Sequence, residues 1–148
     1  MKFELTYVIE DHGWAEAEIK SADGVHHIYN ISYLSDAFLG LSDSVLRLLR
    51  GSQEEGCAFE HEPGRTKIRF IRSGEELKVL VYSFEREMLD EPWEKGVVFF
   101  QTSVALKRLK SQFLNQADNI LNSIGSAEYK EQWGSEFPIE NYEAIKNS

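Results

Sequence analysis

The chain carries 148 residues, a length at which a single domain buries roughly 68–70% of its unfolded surface and needs neither disulfides nor metals for stability. Hydrophobic residues make up 42% and charged residues 28%, a globular balance that excludes an intrinsically disordered chain. The net charge of −9, from 16 Lys and Arg against 25 Asp and Glu, opposes the field that nucleic-acid binding requires and leaves a basic protein as the charge-matched partner.

No apolar run approaches the roughly 20 residues of a membrane span, so no membrane association is expected. The opening Met1-Lys2-Phe3-Glu4-Leu5 places an acid where a secretory signal has its apolar stretch. Cys57 is the only cysteine, which rules out an intramolecular disulfide and suits a reducing compartment. A cytoplasmic protein is the expectation. With no repeat, low-complexity tract or Pro/Ser-rich linker, residues 1–148 read as one domain.

The first third predicts a strand meander. Phe3, Leu5, Tyr7 and Ile9 alternate with polar neighbours, Asp11-His12-Gly13 supplies a turn, and Ala15, Ala17 and Ile19 alternate with Glu16, Glu18 and Lys20. After Ser21-Ala22-Asp23-Gly24, a third strand from Val25 to Ser32 would put Val25, His27, Tyr29 and Ile31 on one side. The period then becomes helical at Leu34, Phe38, Leu41, Val45, Leu48 and Leu49, with Ser35 as the N-cap, Asp36 in the first turn and Gly51 as the terminator.

A second β block follows. Cys57, Phe59 and His61 share a strand face, Glu62-Pro63-Gly64-Arg65 forms a turn, and Thr66, Ile68 and Phe70 alternate with Lys67, Arg69 and Ile71. Leu77 to Phe84 is apolar on both faces and reads as a central strand, followed by a loop, Glu85 to Lys95, and a strand at Gly96 to Thr102. Ser103 would cap a helix with the stripe Leu106, Leu109, Phe113, Ala117, Ile120, Leu121 and Ile124, ending at Gly125. Two short helices, near Ala127–Trp133 and from Pro138, complete the chain. The fold class is therefore α+β: a largely antiparallel sheet of six to seven strands, in the order βββ-α-ββββ-α-α-α, with helices on one face.

Reactive chemistry is sparse along this order. Cys57 and His61 stand about 13 Å apart along an extended strand, too far to share one zinc ion, and His26 and His27 point to opposite faces. No cofactor or metal is expected. Cys57 has the apolar context of a buried, inert thiol. Ser42-Asp43-Ser44 falls on the wet face of the first helix, without the strained turn of a nucleophile elbow. No Gly-rich phosphate loop is present.

The loop around Trp93 is richer, because Met88, Leu89 and Trp93 lie among Glu85, Glu87, Asp90, Glu91 and Glu94, and protein interfaces use aromatic and Met anchors ringed by charge. The stretch Gly51 to Glu62 adds Glu54, Glu55, Glu60 and Glu62 without a base. Glu54, Glu55, Glu87, Met88, Asp90, Glu91, Trp93 and Glu94 are accordingly the candidate partner-binding residues.

Trp14-Ala15-Glu16, Tyr33-Leu34-Ser35-Asp36-Ala37 running into Leu46-Arg47-Leu48-Leu49-Arg50-Gly51, Glu62-Pro63-Gly64, and Tyr129-Lys130-Glu131-Gln132-Trp133 followed by Phe137-Pro138 span most of the chain. On these segments it resembles a family of small uncharacterised bacterial proteins. In size and charge it is similar to the immunity proteins that neutralise basic bacterial toxins. The resemblance implies a toxin-like basic protein as partner and carries no catalytic residue.

Three functions follow as expectations. The first is a non-enzymatic protein-binding module, immunity-like, docking through acidic loops and Trp93. The second is a small-ligand binder or enzyme with a site assembled from His27, Tyr29, His61 and Tyr82. The third is a structural or homo-oligomeric module.

Overall fold

A computed structural model describes residues 2–10, 12–33, 35–61, 64–85 and 91–148. The order of elements is the expected one: β1 (Glu4–Ile9), β2 (Trp14–Ser21), β3 (Gly24–Ser32), α1 (Ala37–Leu49), β4 (Glu54–Glu60), β5 (Arg65–Ser73), β6 (Glu76–Phe84), β7 (Val97–Ala105), α2 (Leu106–Ser123), α3 (Gly125–Trp133) and α4 (Ile139–Lys146). The strands pair antiparallel throughout but divide between two sheets, β1-β2-β3 and β4-β5-β6-β7. Central placement of β6 follows from its double-sided apolar pattern, since it pairs with both β5 and β7.

Several local expectations change. Asp36, not Ser35, caps α1, its carboxylate accepting from the Leu39 amide at 3.3 Å. Ser103 does not cap α2. The strand continues to Ala105, where Leu106 donates its amide to the Glu75 carbonyl at 2.8 Å, so pairing with β6 outlasts the cap signal.

Ser42 and Ser44 are buried rather than wet. Ser44 Oγ donates to the Gly56 carbonyl at 3.2 Å and Ser42 Oγ to the Leu39 carbonyl at 2.7 Å, so each hydroxyl is satisfied where it is buried. Val25, His27, Tyr29 and Ile31 do not share one face. A bulge opposite Ala15–Ala17, with Asn30 at φ 53°, turns Ile31 into the core and leaves Val25 and Tyr29 in solvent. Of the expected turn Glu62-Pro63-Gly64-Arg65, Glu62 and Pro63 lie outside the described residues. Gly51, at φ 106°, closes α1 as its position predicts.

One core joins the inner faces of both sheets to the apolar stripes of α1 and α2. Phe38 is its hub, with ring centroids 4.9 Å from Tyr7, 5.2 Å from Phe113, 5.9 Å from Phe137 and 6.3 Å from Tyr129. Trp133, fully buried, reaches back to α1 and donates Nε1–H to the Asp36 carboxylate at 3.2 Å. No described helix is long and apolar enough to cross a membrane.

The sheet edges receive unequal cover. Along β1, the Leu5 and Tyr7 amides donate to Gln112 Oε1 at 2.9 Å and Gln116 Oε1 at 3.0 Å. The spacing explains the match: four helical residues rise about 6 Å and two strand residues about 6.8 Å, so glutamines at i and i+4 meet alternate edge amides. Against β4 lies α1, through the Ser44–Gly56 bond. On β3, His61 Nδ1 lies 3.0 Å from the Tyr29 carbonyl, and the positive φ at Asn30 breaks the edge. Among the described residues no such bond reaches the backbone of β7, whose Thr102 Oγ1 instead meets Ser21 Oγ at 2.8 Å and Asp23 Oδ2 at 2.7 Å.

Candidate docking surfaces

Of the residues expected to bind a partner, Glu54 and Trp93 lie on the outer face of the second sheet and Glu55 on its other face beside α1, and all three are engaged within the fold. Alternation along β5 sends Arg65, Lys67 and Arg69 to the outer face, across from alternate residues of β4. Arg69 Nε donates to Glu54 Oε2 at 2.9 Å. Glu55 is held by Ser52 Oγ at 2.7 Å and lies 3.5 Å from Arg47 Nη1. Glu60, expected on an acidic surface, is 2% exposed and accepts from Arg65 Nε at 3.0 Å. Within the run that reads as acids without a base, Glu54 and Glu60 are therefore matched by arginines across the strands, and Glu55 by Arg47 of α1.

Trp93 opens a 3₁₀ turn, Trp93–Lys95, and lies half-buried over this face. Its ring centroid is 4.8 Å from that of Tyr82 and 6.5 Å from that of Phe84, with Lys67 Nζ at 4.3 Å and the Arg69 guanidinium at 5.0 Å. Gly56 makes the seat. A Cβ there would stand 2.9 Å from the indole, so only glycine lets the ring lie against β4. Glu91 is half-buried and Glu94 exposed. Glu87, Met88 and Asp90 lie outside the described residues.

The alternative constellation converges only in part. The His27 ring stacks on Tyr29 at 5.1 Å, and His61 meets the Tyr29 carbonyl. Tyr82 instead faces Arg69 and Trp93 on the outer face of the second sheet. A cavity of about 320 Å³ between α2, α3 and the start of α4 includes none of the four in its lining.

Among the described residues, no three His, Cys, Asp or Glu side chains gather as metal ligands would. Burial pushes the Cys57 thiol up to about 12, against small opposing effects from Ser44 and Lys67, and so suppresses the thiolate. His26 stacks on Phe100 at 5.7 Å, and burial, then the His27 and His61 rings, hold its imidazole below the usual range.

Two buried phenols, Tyr7 and Tyr129, lack a hydrogen-bond partner among the described residues. Burial raises both well above the usual phenol range, Tyr129 and Asp36 adding to the effect at Tyr7. An unbonded buried hydroxyl contributes nothing that its removal would forfeit. Tyr7→Phe should therefore leave stability in a urea titration within about 1 kcal/mol of wild type, with either sign allowed.

The exposed large apolar side chains mark surfaces that sequence reasoning missed. They fall into three groups: Val8, Val25 and Tyr29 on the first sheet; Val97, Val98 and Phe99 on β7; and Tyr33, Leu39 and Ile139 near the helical end.

The first group belongs to an ordered array on the solvent face of the first sheet. Cross-strand register aligns Glu4 with Lys20 and Val25, Thr6 with Glu18 and His27, and Val8 with Glu16, opposite the bulge that carries Tyr29. Glu18 sits between Lys20 Nζ at 3.4 Å and His27 Nδ1 at 3.0 Å. Trp14, half-buried, begins the β2 row that Glu16 and Glu18 continue. Glu4, Glu16 and Glu18 outnumber Lys20, and Val8 and Tyr29 are each 54% exposed among them. The alternation of Glu16, Glu18 and Lys20 marked the face as wet. Its exposed apolar members, Val8, Val25 and Tyr29, come from the other two strands, so only the register shows the combination. No family model, curated protein or solved structure matches the chain.

Proposed function

We propose that this chain is a non-enzymatic protein-binding module that docks a basic protein, in the manner of immunity proteins, through the solvent face of β1-β2-β3. The observation that carries the proposal is the array itself: Val8, Tyr29 and Trp14 supply apolar and aromatic contact area within a field set by Glu4, Glu16 and Glu18. Apolar anchors ringed by like charge suit an interface whose partner brings the opposite sign. Glu54 and Glu55 are paired with Arg69 and Arg47 as Glu18 is with Lys20 and His27, and what favours the first sheet is the exposed apolar area of Val8 and Tyr29 beside its acids. Glu91 and Glu94 form a second proposed patch.

Affinity capture from the native host with three baits tests the assignment: wild type, Glu16→Lys/Glu18→Lys, and Glu91→Lys/Glu94→Lys. A basic protein should be retained by wild type and released by salt. The sheet-face variant should bind it about tenfold or more weakly, with a shallower salt dependence. If only the Glu91/Glu94 variant loses it, docking occurs at the loop instead. If neither variant does, the acidic-docking proposal fails.

A further inference from the structure

The edge strand β7 is the one sheet edge left open among the described residues. The other three each receive a specific cover: Gln112 and Gln116 bond the β1 amides, Ser44 of α1 bonds β4, and His61 and the Asn30 kink interrupt β3. The sheet order ends at β7, and no described helix, loop or side chain outside the sheet bonds to the backbone of Val97 to Ala105.

Its side chains sharpen the contrast. From Gly96 to Leu106 the chain has no charged residue and no proline. Val97, Val98 and Phe99 are 58%, 44% and 65% exposed. A bare edge is a template for pairing, and proteins that stay apart blunt it with lysine, proline, a bulge or a covering segment. Among the described residues the one such device is the bulge between Val98 and Phe100, and it leaves Phe99 in solvent.

We propose that two copies of this chain pair antiparallel along β7, joining their four-stranded sheets into one continuous sheet about a two-fold axis. The charge pattern favours a second copy as occupant. Two chains of net charge −9 repel overall, and a two-fold antiparallel pairing sets each strand against the same uncharged run, so no like charges face each other within it. The open backbone groups would supply the ladder, and Val97, Val98 and Phe99 would pack across the axis. This interface uses neither Glu16 nor Glu18 and is independent of the docking role of the first sheet.

Multi-angle light scattering across a dilution series should show the isolated chain dimerising. Phe99→Lys and Gln101→Lys, both at exposed positions, should each weaken the dimer about tenfold or more while circular dichroism stays unchanged. Hydrogen exchange gives a readout free of substitutions: the amides of 97–103 should exchange faster on dilution, and those of β1 should not. A chain monomeric at every concentration overturns the proposal. So does a dimer that both lysine variants leave intact while β7 exchange is indifferent to dilution.

Discussion

Phe38→Ala should lower stability by about 3–5 kcal/mol, a large share of the roughly 5–15 kcal/mol that holds a domain of this kind together. The ring is fully buried and touches aromatic side chains from four other elements or connections: Tyr7 of β1, Phe113 of α2, Tyr129 of α3, and Phe137 ahead of α4. Truncation removes the transfer free energy of the ring and leaves a void that these rigid neighbours fill poorly. It also loosens the attachment of the three C-terminal helices to α1 at one point. The midpoint of urea denaturation reads the effect. A loss below about 1 kcal/mol would show that the aromatic cluster is not the hub described here.

The second large effect is electrostatic. Arg65→Met keeps the alkyl stem but removes the guanidinium bonded to Glu60, whose side chain is almost wholly buried. Breaking a buried ion pair from one side costs about 3–5 kcal/mol, because the remaining charge keeps its desolvation penalty. The double variant Glu60→Gln/Arg65→Met should recover most of that loss, since neither site then carries a charge. A single variant as stable as wild type, or a double variant no better than the single, would contradict a functioning buried pair. This comparison separates ion pairing from packing, because both variants contain the same Met.

The Glu60–Arg65 pair also shows what could be read from the chain and what could not. Periodicity marked every strand and helix, because alternation and the 3.6-residue repeat are consequences of burial on one side. The Gly51 terminator and the double-sided apolar pattern of β6 could be recognised for the same reason. Acidity along Gly51–Glu62 misled because charge was counted along the strand, while electrostatics acts across it. A register counted back from the Pro63-Gly64 turn would have set Glu60 opposite Arg65, the pairing observed.

The split into two sheets has no local signature, since it depends on where α1 turns the chain between β3 and β4. The bulge at Asn30 was equally silent. One residue with positive φ moved Tyr29 and Ile31 to opposite sides and so created the exposed array on the first sheet. Trp93 was identified as distinctive, and its seat on Gly56 could not be seen without the third dimension.

The proposed docking of a basic partner is tested most directly by the hydrogen-exchange footprint of the complex with the protein captured from the host. Protection should appear on β1, β2 and β3 around Val8, Glu16, Glu18 and Tyr29. Protection confined to the helical end, to β7 or to the segment around Glu91–Glu94, with the first sheet unchanged, would contradict it.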